Sequence, residues 1–424
     1  MKDIHVLLID YNIGSNLKKA LTSLNHIFPR LNAVTIFNHH SLYLSIPSSL
    51  LQFNVEYIDI QHDLGVTLNS YIQTIKSEYT LFLFKYNTLM SEIKDNPLIL
   101  KDNESILTVD HKDKQIGYQL PFMVKTSFLK STHFLAERKV PFREMIFHSW
   151  LLENSNSGVV TLKGNNIKSL REISDKTDEE KLKFIHKFNS INFQDIPSMP
   201  TLSVMIANFN MEKFIQTAIH SCIIQSVPFD QILVVDDGST DSSLQLINQW
   251  KSHSNIRCFF KSNEGKAKAL NHILPFITSD FVLEMDADDW LDPDAVFVIK
   301  SYLKTLPLNT SVLYGNWRYW RQPSTGDVKF LKVQKGEPVN NQTELLSYIF
   351  PLGPRVYRTS ALTEIKGFPT IDFEDVAVLV QLLKKHEFLY KDFTVYNIRK
   401  HSNSFTKKNH STWSDLKKFL TDYD

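Results

Sequence analysis

Three carboxylates close one short apolar run. In Phe281-Val-Leu-Glu-Met-Asp-Ala-Asp-Asp-Trp290 the run reads as a buried strand, with Asp286, Asp288 and Asp289 at its carboxyl end. Acids this close repel one another unless a cation sits among them. Hard divalent cations such as Mn2+ or Mg2+ take oxygen ligands and keep open positions for substrate phosphates. The chemistry expected here is a metal ion that holds a diphosphate. The alternative is a solvated acidic turn that caps the next helix through Asp292-Pro293-Asp294.

Other stretches could complete such a site. The strand Gln231-Ile-Leu-Val-Val235 runs into Asp236-Asp-Gly-Ser-Thr-Asp241. Open parallel sheets bind ligands beyond the carboxyl ends of their strands. Gly238 permits a tight turn there, and a carboxylate on the turn can accept from a base N–H or a ribose hydroxyl. The same residues also suit an Asx-turn leading into a helix. In Asn263-Glu-Gly-Lys-Ala-Lys-Ala-Leu-Asn271, Gly265 opens a helix whose first turns carry Lys266 and Lys268. Cations are unfavourable at a helix N-terminus unless an anion is present, and a phosphate would also use the free N–H groups. Two solvated lysines are the plainer alternative.

Phe373-Glu374-Asp375 sets two acids ahead of a long apolar run. They either cap a helix, or one of them takes the proton of an attacking hydroxyl. Arg399-Lys-His-Ser-Asn-Ser-Phe-Thr-Lys-Lys408 gathers cations around His401. It reads as a loop able to fold over a diphosphate, with His401 on the metal or on phosphate, or else as a charged surface loop.

Taken in order, these features resemble family 2 glycosyltransferases of the A-type nucleotide-sugar fold. The matching residues are the strand ending in Asn208-Phe-Asn210, Asp236-Asp-Gly-Ser239, the segment Asn263–Asn271, Asp286-Ala-Asp288, Glu374-Asp375 and His401-Ser-Asn-Ser404. The resemblance covers residues ~200–410, about half the chain. It implies that Asn208, Phe209, Asn210, Asp236 and Asp237 line a uracil and ribose pocket. Asn263, Gly265 and Lys266 would lie near the diphosphate. Asp286, Ala287 and Asp288 would sit by ribose and metal, with Asp288 and His401 as metal ligands beside Asp286. Asp375, with Glu374 next to it, would be the base of an inverting displacement. Two departures matter. Leu270 stands where many members carry Arg, as in chain-extending members, yet the Gln-x-x-Arg-Trp motif and the membrane helices of processive synthases are absent. The expectation is one sugar per encounter, from a UDP-sugar to a glycan or glycoprotein acceptor. Trp317 and Trp320, in the usual acceptor region, are candidate stacking faces, with a core aromatic the favoured reading for at least one of them. Overall similarity also suggests the spore-coat glycosyltransferases of bacilli.

The elements that position these residues follow from the chain as a whole. A length of 424 residues predicts two or three domains. A net charge of +1 offers no basic field for nucleic acid or an anionic membrane. No apolar run approaches the roughly 18 residues of a membrane-spanning helix. The N-terminus reads directly as a strand, without the apolar core of a signal peptide, and Cys222 and Cys258 are too few for a disulfide framework. These features together predict a cytoplasmic protein.

Strands and helices alternate throughout, which predicts α/β layers. Gln194-Asp-Ile-Pro-Ser-Met-Pro200 reads as a linker between residues 1–190 and 201–424, here bounded as 191–200. The two sides look alike. One ungapped displacement lays Val6-Leu-Leu-Ile-Asp-Tyr-Asn12 on Val204-Met-Ile-Ala-Asn-Phe-Asn210, and Ile36-Phe-Asn-His-His-Ser41 on Val234-Val-Asp-Asp-Gly-Ser239. After small gaps, Ser77–Phe84 falls on Ser279–Asp286, and Phe142-Arg-Glu-Met145 on Phe373-Glu-Asp-Val376. The fold expected is therefore two tandem A-type domains with mixed central sheets. The first has lost its metal site: Asn38 and His39 replace Asp236 and Asp237, and Phe84 and Tyr86 replace Asp286 and Asp288. Acceptor positioning, homo-oligomer formation and partner docking are the roles open to it. Two other functions compete for the second domain. A sugar nucleotidyltransferase would need a Gly-rich phosphate loop after its first strand, which neither half has. A non-catalytic nucleotide-sugar or glycan scaffold would not need its acids.

Overall fold

The computed structural model describes residues 2–11, 14–38, 54–60, 63–96, 98–113, 116–169, 175–189, 199–323, 327–347, 352–371 and 373–402. The chain divides into two compact units, Met1–Asn189 and Ser190–Asp424. Most of the linker expected at 191–200 lies outside the described residues, as do His39 and the loop beyond residue 402.

In the first unit the strands are β1 (Ile4–Ile9), β2 (Leu31–Asn38), β3 (Asn54–Asp59), β4 (Tyr79–Phe84), β5 (Asn87–Leu89), β6 (Ile106–Asp113), β7 (Ile116–Lys125), β8 (Val159–Leu162) and β9 (Ile167–Ser169). The main sheet runs β3-β2-β1-β4-β7-β6-β8. In the second unit they are β10 (Leu202–Asn208), β11 (Gln231–Asp237), β12 (Ile256–Lys261), β13 (Phe281–Asp286), β14 (Trp290–Leu291), β15 (Thr310–Arg321), β16 (Lys329–Gln334), β17 (Arg355–Arg358) and β18 (Glu387–Lys400). Its sheet runs β12-β11-β10-β13-β17-β15-β18-β14, with β16 added beside β15. Both units are thus mixed α/β layers, the architecture expected from the alternating pattern. Parallel strands come first, and an antiparallel strand follows β4 and β13.

The two sheets agree in register as well as in order. Val6 faces Val34 on β2 and Leu81 on β4, while Val204 faces Ile232 on β11 and Leu283 on β13. Leu81 faces Met123 and Leu283 faces Val356, both antiparallel. Register in a buried sheet is set by which side chains reach each face, because one slip turns every residue over. β10 shows this. Leu202, Val204 and Ile206 enter one core cluster with Ile232, Val234 and Leu283. Met205 enters the cluster on the opposite face with Leu233, Val235 and Val282.

The parallel pairing brings the expected site residues together at one sheet edge. Asn208 lies opposite Asp236, Ala207 opposite Asp286, and Asp237 opposite Lys261. Just beyond β11, Gly238 adopts φ 74°, and a Cβ there would meet the Asn263 backbone nitrogen at 2.5 Å. Gly238→Ala is therefore expected to destabilise the second unit by roughly 1–3 kcal/mol. A thermal melt checks this, and an unchanged midpoint contradicts the close packing of these two turns.

Trp317 and Trp320 do not present faces to an acceptor. Both are buried, at 2% and 1% exposure, because β15 is an interior strand between β17 and β18. No described helix is long and apolar enough to cross a membrane.

Candidate active site

The end of β10 and the turn after β11 form one hydrogen-bonded unit. Asn208 Nδ2 donates to Asp236 Oδ2 at 2.7 Å and to Ser239 Oγ at 3.1 Å. The Ser239 amide donates to Asp236 Oδ1 at 2.9 Å. Asn210, at φ 53°, accepts on Oδ1 from the Thr240 amide at 2.8 Å. The local interactions expected of an Asx-turn are therefore made, and they fix Asp236 and Asn208 in the interior. Asn208 Oδ1 is buried and finds no partner among the described residues. Phe209, between them, is 43% exposed, an unusual place for a large aromatic ring unless something stacks on it.

Asp237 closes the next turn. Its carboxylate accepts from Lys261 Nζ at 2.8 Å, and from the Gly265 amide at 2.7 Å and the Glu264 amide at 3.1 Å. It thereby uses N–H groups at the start of the helix Lys266–Ile273. Gly265 stands at φ 95° with nothing near its missing Cβ, so its backbone conformation alone calls for glycine. Asn263 is exposed beside Gly238.

Lys266 sits at the centre of an acidic cluster rather than at an open helix end. Its Nζ lies 2.6 Å from Asp286 Oδ1, 2.9 Å from Glu284 Oε1 and 3.8 Å from Glu374 Oε1. Burial disfavours its charge, but the Asp286 and Glu284 carboxylates outweigh that and raise its pKa well above the ordinary value. Glu284 is the buried hub. Arg355 forks onto it with two bonds of 2.9 Å, and Tyr357 OH donates at 3.0 Å. Burial raises the Glu284 pKa, yet Arg355 and Lys266 hold it at about 2.

The two acids of the Phe373-Glu-Asp motif open the helix Glu374–Leu383. Phe373, at φ 61° and ψ 45°, holds the left-handed conformation that a bulky residue adopts only where its surroundings enforce it. Asp375 Oδ1 accepts from the Val376 amide at 2.9 Å, and Asp375 Oδ2 lies 3.6 Å from Arg355 Nη1. Burial raises the pKa of Asp375 despite the neighbouring Arg355. Burial raises that of Glu374 to about 7, despite Lys266.

A separate pair lies after β13. His401 Nε2 is 2.9 Å from Asp288 Oδ2, and the His401 ring stacks on Phe214 with centroids 4.5 Å apart. Arg399 donates from Nε to the Asp288 carbonyl at 3.0 Å, and its amide donates to Asp289 Oδ1 at 2.8 Å. Its guanidinium lies over the Trp290 and Phe214 rings. Burial, with the charges of Asp288 and Asp286, pushes the pKa of Asp289 well above the ordinary value. Asp289 is therefore an internal anchor and not an exposed ligand. Ala287 is buried between the two acids. The three expected metal ligands are not gathered: Asp286 is on Lys266 while Asp288 and His401 pair. Among the described residues no three His, Cys, Asp or Glu side chains form a ready cation site.

Residues 203–365 match the model of glycosyl transferase family 2. This segment is similar to family 2 glycosyl transferases. Among curated proteins, a chondroitin synthase of Pasteurella multocida is 32% identical over 137 residues, 32% of this chain and 14% of that protein. An uncharacterized glycosyltransferase of Haemophilus influenzae is 27% identical over 198 residues, 46% of this chain and 76% of that protein. A crystal structure of S. aureus TarS 1-349 with UDP-GlcNAc aligns at a TM-score of 0.41 and 19% identity, covering 52% of this chain and 66% of that one. The chain spans about a seventh of the length of the chondroitin synthase it matches.

The match ends before Glu374, Asp375 and His401, so the matched segment holds the donor-side turns and the acids of β13. Two groups escaped the reading of motifs, Glu284 and Arg355, while Arg399, expected on a polar loop, lies at the end of the strand β18 instead. Glu284 is a lone acid inside an apolar strand, which was itself a signal, since a charge is buried only when paired. Arg355→Leu leaves Glu284 with Lys266 and Tyr357 only. Breaking a buried pair costs roughly 3–5 kcal/mol, and a melt of the variant should show the second unit lose that stability.

Proposed function

We propose that the second unit transfers a sugar from a nucleoside diphosphate donor, most simply a UDP-sugar, to a glycan hydroxyl in a metal-dependent inverting displacement. The observation that carries this reading is the convergence of Asn208, Asp236, Lys266 and Asp286, from the segment that matches family 2, with Glu374 and Asp375 at one end of the sheet. The exposed Phe209 ring and the unpaired Asn208 Oδ1 suit a base that stacks and donates an N–H. Relatives named as synthases of chondroitin and hyaluronan support a polysaccharide acceptor.

The donor set fits a hard divalent cation when substrate oxygens complete it. Asp288 and His401 supply two ligand atoms already 2.9 Å apart, and the surplus of carboxylates around Asp289 favours a positive charge. A Mn2+ or Mg2+ ion bound there supplies neutralisation of the charge that grows on the leaving diphosphate. Lys266 exchanges Asp286 for phosphate oxygens. Asp375 takes the acceptor proton as the acceptor oxygen bonds to the anomeric carbon. The bond from that carbon to the diphosphate oxygen breaks, and its electron pair leaves with the diphosphate. Arg355 keeps Asp375 oriented.

Hydrolysis or transfer from UDP-, GDP- and dTDP-sugars with Mn2+ tests the reading. Release of a nucleoside diphosphate that needs both the metal and Asp375 supports it. Binding without release from any donor favours a scaffold.

The pH dependence carries a sign. Glu374, with its pKa raised to about 7, is protonated below neutrality, and Asp375 is raised in the same direction. A base works only when ionised, so the acid limb of kcat/KM should lie above the ordinary carboxylate range, in the direction that burial moves Asp375. Glu374→Gln removes the charge beside Asp375 and should move the acid limb to lower pH.

The first unit is proposed to be a second copy of the same fold that has lost its acids. Equal strand order and register in the two units support this.

A further inference from the structure

The first unit contains a cavity at the carboxyl ends of β1 and β4, the counterpart of the position held by Asn208 and Asp286 in the second. It is a cleft that opens to solvent, lined on one side by the strand ends and on the other by two helices. Asp10 follows the first strand, Phe84 ends the fourth, and Lys85 and Tyr86 come after it. Arg143 and Glu144 precede the helix Met145–Glu153. The helix Lys176–Asn189 covers the space with Lys181, Leu182 and Ile185.

The polar lining is an ordered network of ion pairs. Lys85 Nζ lies 2.6 Å from Glu144 Oε1, and Lys181 Nζ lies 3.4 Å from Glu144 Oε2. Arg143 reaches Asp10 Oδ1 at 2.8 Å and Glu137 Oε1 at 3.0 Å. Burial raises the pKa of Glu144, but Lys181 and Lys85 outweigh it and hold the group ionised. The apolar lining is Phe84 and Phe147, edge to face at 4.5 Å, with Leu120, Leu182 and Ile185.

This composition selects the ligand class. A divalent cation would meet Lys85, Arg143 and Lys181, and Phe84 offers it no oxygen. A diphosphate would have to displace Glu144 and Asp10 from those same cations. A neutral polyol needs neither exchange. Its hydroxyls donate to the carboxylates and accept from the ammonium and guanidinium groups while each pair stays made. Its C–H face covers aromatic rings.

We propose that the first unit binds an uncharged pyranose, free or as the end residue of a glycan, in this cavity without metal or nucleotide. It is a claim about the first unit and stands or falls separately from donor chemistry in the second.

The test is saturation-transfer NMR on the full chain with glucose, galactose and N-acetylglucosamine as probes, with chelator present. At least one hexose should be saturated by the wild-type protein. Lys85→Gln should weaken binding of that hexose by about tenfold, the worth of one hydrogen bond to a charged group, and Tyr86→Ala by a few-fold, the worth of a neutral one. Tyr86→Ala should leave the melt as in the wild type, and both variants should leave Mn2+-dependent UDP binding as in the wild type. Asp288→Ala should leave the hexose signal intact. No signal from any hexose, a signal lost in Asp288→Ala, or one indifferent to both first-unit variants in folded protein overturns the proposal.

Discussion

Asp375→Asn is expected to lower turnover by about 10²–10⁴-fold, the range that a positioned general base contributes. Asn keeps the shape of the side chain. Its Oδ1 still accepts from the Val376 amide, the 2.9 Å bond that seats Asp375 at the head of its helix. The fold and the donor pocket should therefore survive, and UDP affinity should hardly change. What is lost is the ability to take a proton. Single-turnover kinetics with saturating donor separate the two effects. Unchanged turnover would sink the assignment, and a larger loss in Glu374→Gln would transfer the role to Glu374, whose pKa of about 7 suits a base equally well.

Asp288→Ala has the second large effect. It takes one of two ligand atoms from the Asp288–His401 pair, so the response of turnover to Mn2+ should disappear. The loss corresponds to several kcal/mol of charge stabilisation, on the order of 10²–10³ in rate. The same change relieves a strain in the resting protein. Asp289 is buried, and burial with the charges of Asp288 and Asp286 works against its ionisation. Removing Asp288 should thus leave the melting temperature equal or higher at neutral pH. A residue that matters only for structure would do the opposite. Full activity without a metal, or a collapse of stability, contradicts the role given to Asp288.

The sheet edge was legible because it is local. Apolar runs that stop at Asn208, Val235 and Asp286 mark strand ends, and parallel pairing makes those ends neighbours. Turn chemistry was legible for the same reason: Gly238 and Gly265 both stand at positive φ. Partnerships between distant segments were not. Lys266 reads as a phosphate ligand from its place at a helix start, yet it pairs with Glu284 and Asp286 across the sheet. Arg355 lies 71 residues from Glu284, and nothing in its own segment announces a bidentate pair. Trp317 and Trp320 misled because aromatic content alone does not say which side of a sheet is covered. β15 is flanked by strands on both edges, and both rings are core.

The central claim is a metal-linked nucleotide site in the second unit. Its most direct test is calorimetric titration of the full chain with UDP, with Mn2+ and with chelator. The account predicts binding that needs Mn2+ and vanishes in Asp288→Ala. UDP binding of equal strength in chelator, or in Asp288→Ala with Mn2+, contradicts it.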